Sequence, residues 1–212
     1  MKIFNITKPL TILATGLLLL ASCEGFLDVE PNSQVKGEAL FQSEGGFKEA
    51  LAGVYTSMLD SRNYAKELRF GLIGVLGAEW DYYPTTSYQD ASLYQYEQTV
   101  PKGMINSMWS SMYNSIANVN NIIANIKNKQ DIFTGGNYSI IKGEAYGLRA
   151  LLHFDLLRCF GVSYAVDSTK AAIPYYTEIV KGSFPQLKVN QVMDKILADL
   201  DTAELCLLND PI

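Results

Sequence analysis

Residues 143–161, GEAYGLRALLHFDLLRCFG, constrain this chain more than any other stretch. Together with Ile141 just ahead, apolar or small residues recur at Ala145, Leu148, Leu152, Leu156 and Cys159. Steps of fours and threes line one face of an α-helix. Leu151, Phe154 and Leu157 add a second apolar stripe, so the spacing predicts a helix buried on two sides. Gly161 follows the last periodic residues, where a left-handed C-cap is expected. Arg158 places positive charge in the last turn, which suits the carbonyl end of the helix dipole. A helix buried in this way needs other helices to cover it.

The chain supplies them. Ser43 can cap a helix through Phe47, Leu51, Val54 and Met58, with Leu40-Phe41 stapling its start. A second helix is expected over 66–79. Its glycines, Gly71, Gly74 and Gly77, match neither GxGxxG nor a P-loop; close helix packing accounts for them better. A long helix over 104–127 carries Ile105, Trp109, Met112, Ile116, Val119, Ile123 and Ile126 at helical spacing. The Met and Trp stripe reads as core. Asn118, Asn120 and Asn121 cost helix propensity and point to side-chain hydrogen bonds with adjacent loops. Residues 129–137, with Gly135-Gly136, are a short link that makes an antiparallel hairpin of this helix and the central one. A last helix has Asn190 as N-cap and Val192, Ile196, Leu200, Ala203 and Leu207 on its apolar face.

The N-terminus differs in kind. Lys2 and Lys8 accompany an apolar run over 10–20, too short to span a bilayer. Leu20-Ala21-Ser22-Cys23 then resembles a bacterial lipobox. Residues 1–22 therefore read as a lipoprotein signal peptide, Cys23 as the lipidation site and 23–39 as a tether. Several acyl chains on Cys23 give stable membrane anchoring where one gives only reversible binding. The competing reading is an ordinary secretory signal with a chance cysteine.

Chemistry is sparse. A net charge of -5 and a pI near 4.9 argue against nucleic acid as a partner. Cys23, Cys159 and Cys206 are too scattered for a metal knuckle or a disulfide framework, so neither a metal nor a cofactor is assigned. His153 is the only histidine and sits in an apolar helix, as a packed residue would. HExxH, a Walker motif and a nucleophile elbow are absent, and no catalytic residue is assigned. Asp155 and Arg158 stand at i,i+3, a simple helix ion pair. Residues 80–96 stand apart, because Trp80, Tyr82, Tyr83, Tyr88, Tyr94 and Tyr96 lie there among polar residues without a regular period. Ring faces stack on sugars, and carboxylates and amides hydrogen-bond hydroxyls. Trp80, Asp81, Tyr82, Tyr83 and Tyr88 are the candidate ligand-binding residues. Alternatively, these rings only cover the ends of neighbouring helices.

Several of these stretches carry one resemblance. Gly143, Glu144, Ala145, Leu148, Arg149, Ala150, His153, Phe154, Asp155, Leu156, Arg158, Phe160 and Gly161 match the central helix of SusD/RagB-type nutrient-uptake lipoproteins. Gly147 departs from that pattern. Phe26-Leu27-Asp28-Val29-Glu30-Pro31, the segment from Trp109 through Tyr113 to Ile116, Ile173-Pro174-Tyr175 and Ile196 to Ala203 resemble further family segments. The resemblance implies a mostly α fold of tetratricopeptide-like helical hairpins over 40–212, corresponding to the N-terminal part of the family without its C-terminal half. It also implies an outer-membrane, surface-exposed lipoprotein with no catalytic step. Such a protein captures a glycan or other nutrient and passes it to a SusC-like TonB-dependent transporter. A protein-binding helical scaffold, with Trp80, Tyr82 and Tyr83 buried, and a secreted hydrolase with a carboxylate pair near Trp80 are the alternatives.

Overall fold

A computed structural model of the chain describes residues 39–80, 87–179, 182 and 184–208. The expected signal, Cys23 and the tether up to residue 38 lie outside them. The described residues are mostly helical: α1 (Glu44–Met58), α2 (Leu72–Leu76), α3 (Gln89–Ser92), α4 (Thr99–Ile126), α5 (Asn137–Phe160), α6 (Tyr164–Asp167) and α7 (Val189–Leu207). Four long helices pack in the order α1, α4, α5, α7, and α5 also touches α1. Neighbours run antiparallel. Trp109 meets Phe160 and Asn120 meets Arg149 across α4 and α5, while Gly147 meets Ala203 and Arg149 meets Asp199 across α5 and α7.

Helix α1 starts as its sequence dictates. The Ser43 hydroxyl accepts the Gly46 N–H at 3.2 Å, and the Phe41 ring packs on Phe47 at 4.9 Å. In α4 the buried face is Met108, Met112, Ile116, Val119, Ile123 and Ile126. Ile105 and Trp109 are only half-buried, so the face is set one residue away from the expected one at its start. The helix also begins at Thr99, earlier than the expected 104, because Pro101 sits in the first turn, where no partner needs its missing N–H.

Helix α5 buries Ile141, Ala145, Leu148, Leu152 and Leu156 as expected, with Cys159 half-buried. The second stripe is only partly right. Leu157 is buried, but Leu151 and Phe154 face outward. The second buried side is instead Arg149, Ala150 and His153. Gly161 ends the helix in extended backbone, φ -97° and ψ 163°, not the left-handed cap expected. Glycine is needed there for closeness, since a Cβ would stand 2.7 Å from the Leu157 carbonyl oxygen. Asp155 and Arg158 form the expected pair at 3.0 Å.

The helix expected over 66–79 shrinks to α2. Residues 61–70 form a run of turns closed by bonds such as Glu67 N–H to Ser61 O and Gly71 N–H to Lys66 O. Asn63, fully buried, ties this run to α1 and α4 by donating to Ser57 O and Ser111 Oγ. Helix α7 begins at Val189, so Asn190 lies inside its first turn, and Gln191 Oε1 accepts the Lys188 N–H at 3.0 Å. Its buried face is Val192, Ile196, Asp199 and Ala203; Leu200 is exposed and Leu207 half-buried, contrary to expectation.

A charged pair crosses the middle. Arg149 grips Asp199 with Nε to Oδ2 at 2.7 Å and Nη2 to Oδ1 at 2.6 Å, both side chains buried. Burial opposes the Arg149 charge, but Asp199 outweighs it and holds the guanidinium pKa above its ordinary value. Tyr175 donates its hydroxyl to Asp199, and its ring stacks on His153 at 3.7 Å. Burial pushes His153 down to about 4, so the ring is neutral at pH 7. Its Nε2 therefore accepts the Tyr176 N–H at 3.1 Å, and Nδ1 faces the Arg149 carbonyl oxygen at 2.9 Å. Asn120 donates to Tyr176 O at 2.9 Å, the asparagine-to-loop bond expected. The network holds residues 172–177, which form no helix or strand, as a strap on the helices.

Candidate functional site

The ring-rich stretch is built on α2. Glu67 organises the approach. Its Oε2 accepts the Leu72 N–H at 2.8 Å, and the Tyr88 hydroxyl donates to the same carboxylate at 3.0 Å. Lys66 sits 3.1 Å from Glu67 and over the Tyr88 ring at 5.3 Å. Gly71 leaves room for this carboxylate, because a Cβ there would lie 2.6 Å from Oε2. Tyr88 is thus half-buried with its hydroxyl engaged, and burial raises its pKa.

Helix α2 closes in a Schellman motif. Glu79 N–H bonds Gly74 O and Ala78 N–H bonds Val75 O, with Ala78 left-handed at φ 53°. The chain turns back, and the pyrrole edge of Trp80 rests on Gly74. A Cβ on Gly74 would come within 2.7 Å of Nε1. The rest of the indole is open, with 56% of Trp80 exposed. Helix α3 closes the same way: Gln95 N–H bonds Asp90 O, Tyr94 N–H bonds Ala91 O, and Tyr94 is left-handed at φ 56°. The Tyr94 hydroxyl reaches Leu76 O at 3.1 Å, while 57% of the residue stays exposed. Tyr96 meets Tyr94 edge-on at 6.3 Å. Two exposed rings are therefore tethered to one short helix at positions two residues apart, Gly74 and Leu76.

Left-handed backbone costs a residue with a Cβ about 1–2 kcal/mol. Glycine is the usual occupant of both positions, yet Ala and Tyr stand there. Such strain collects at binding sites. Of the residues singled out from sequence, Trp80 lies on this platform and Tyr88 is hydrogen-bonded to Glu67; Asp81, Tyr82 and Tyr83 lie outside the described residues. Tyr94 and Tyr96 lie in the same ring-rich stretch, and the sequence pattern alone does not single them out. No cluster of potential metal ligands occurs among the described residues.

A family profile described as "Starch-binding associating with outer membrane" matches residues 25–211. The chain belongs to the SusD-like family. SusD-like protein P38 of Formosa agariphila is 27% identical over 96% of this chain and 38% of that protein. SusD-like protein P25 of the same organism is 25% identical over 74% of this chain and 29% of that protein. A crystal structure of a putative sugar binding protein from Bacteroides vulgatus aligns with a TM-score of 0.64 at 23% identity, covering 77% of this chain and 37% of that one. That likeness carries the fold alone. This SusD-like chain spans well under half the length of the relatives it matches.

Proposed function

We propose that this SusD-like chain binds a glycan at the cell surface and holds it for a SusC-like TonB-dependent transporter, with Cys23 as its lipid anchor. One observation carries the reading: the platform of Trp80 and Tyr94, exposed and tied to α2 before any ligand arrives, with Tyr96 edge-on to Tyr94. Mostly preformed surfaces of rings and polar groups suit ligand capture without bond breaking. The alternative of a protein-binding scaffold expected Trp80 to be buried, and its exposure favours the glycan reading. Binding of the chain to an oligosaccharide array tests it, with the recovered sugars checked for cleavage. Trp80→Ala and Tyr94→Ala should each weaken binding at least tenfold while the helical circular-dichroism signal stays unchanged. Unaltered affinity in both variants refutes the platform, and shortened sugars refute capture without catalysis. Cys23→Ala should abolish partitioning into the detergent phase; retention there refutes the anchor.

A further inference from the structure

We propose a second glycan-binding site on this chain, a trough between α4 and residues 174–179, distinct from the platform on α2. The proposal rests on the reading of the chain as a glycan binder. From α4 come Trp109, Tyr113, Ala117 and Asn120. These lie at steps of four and three along one side of the helix, a run of about 16 Å at 1.5 Å per residue. The facing wall comes from residues 174–179, which supply Pro174, Tyr176 and Glu178 to the lining. The space between measures about 310 Å³, the small end of the range for ligand pockets.

Both walls are fixed without a ligand. Tyr113 donates its hydroxyl to Pro174 O at 2.9 Å, and Asn120 and His153 hold the backbone of Tyr176 from either side. The Tyr176 hydroxyl accepts the Phe184 N–H at 3.3 Å. These bonds use the polar groups of the floor. The Ser110 hydroxyl and the Glu178 carboxylate remain without a partner among the described residues. Among the described residues the lining contains no Lys or Arg, so a phosphate or carboxylate ligand would face the Glu178 carboxylate with no described cation to offset it. Rings along the length and acceptors at the rim fit a short run of linked sugar rings. Their apolar faces would lie on Trp109 and Tyr176, and their hydroxyls would donate to Glu178 and Ser110.

The chain has two tryptophans, one at each site. In Trp80→Phe the emission reports Trp109 alone; in Trp109→Phe it reports Trp80 alone. Each variant is titrated with maltohexaose, cellohexaose, xylohexaose and mannohexaose, and with the methyl glycoside of each sugar. Trp80→Phe should give a saturable change with at least one hexasaccharide, at least tenfold weaker with the matching methyl glycoside. Adding Glu178→Gln should weaken it at least threefold. A silent Trp109 beside a responsive Trp80 overturns the trough and leaves glycan capture standing. Silence from both overturns both. Equal response to the methyl glycoside, or indifference to Glu178→Gln, overturns the trough as a site for linked sugars.

Discussion

Two glycines four residues apart on α5 should respond differently to alanine. Gly147 is in a helix interior, where alanine is favoured by about 1 kcal/mol, partly through the unfolded chain. A Cβ at 147 would lie 3.8 Å from the Ala203 Cβ, an ordinary contact. Gly147→Ala should therefore stabilise the fold by about 1 kcal/mol. Gly143 offers the same helix gain, but its Cβ would stand 2.7 Å from Leu207 Cγ, 2.9 Å from Cδ2 and 3.0 Å from Cys206 Cβ. Leu207 can rotate; the Cβ of Cys206 moves only with the backbone of α7. Overpacking of this kind costs about 1–3 kcal/mol, so Gly143→Ala should be neutral to about 2 kcal/mol destabilising. Urea unfolding followed by far-ultraviolet circular dichroism reads both. The midpoints should fall in the order Gly147→Ala, parent, Gly143→Ala. The reverse order would refute the stated contact between α5 and α7.

Asp199→Asn leaves Arg149 buried without its counter-ion and should cost about 3–5 kcal/mol, with much of the loss recovered by pairing Arg149→Met with Asp199→Leu; a midpoint equal to the parent's refutes the clamp. His153 binds a proton more weakly folded than unfolded, so the unfolded state carries more protons between pH 6.5 and about 4 and acid destabilises the fold. The loss over that window should approach about 3 kcal/mol, and most of it should vanish in His153→Gln between pH 6.5 and 4.5; an unchanged slope refutes the assignment. Leu152, fully buried, should cost about 2–5 kcal/mol as Leu152→Ala. Leu151, Phe154, Leu197 and Leu200 line an exposed apolar groove between α5 and α7. This stretch of chain made alone should bind a hydrophobic dye, and Phe154→Ser with Leu197→Ser should lower the signal; a dye-negative parent counts against an open groove.

The long helices were legible because four-three periodicity survives in any context that buries one face. Polar burial was not. Arg149 and Asp199 are 50 residues apart, and hydropathy patterns send charged residues outward, so Leu200 took the place that Asp199 occupies. The same blindness assigned Leu151 and Phe154 to a buried stripe. Residues 66–70 read as helix because the turns that replace it depend on the Asn63 and Glu67 side chains reaching backbone beyond their own turn. At the candidate site the ring-rich stretch was visible. Which rings face outward depends on two Schellman closures whose usual marker, glycine, is replaced by Ala78 and Tyr94. Trp109 looked like core because the helix face is offset by only one residue.

The Arg149–Asp199 clamp also sets an order of events. Synthesis runs from the N-terminus, and all of α5 is made before Asp199 exists. Covering the face of α5 that carries Arg149 with anything that lacks the carboxylate would strand a guanidinium in an apolar interior, at a cost of several kcal/mol. That face is therefore buried only once α7 packs on it and brings Asp199.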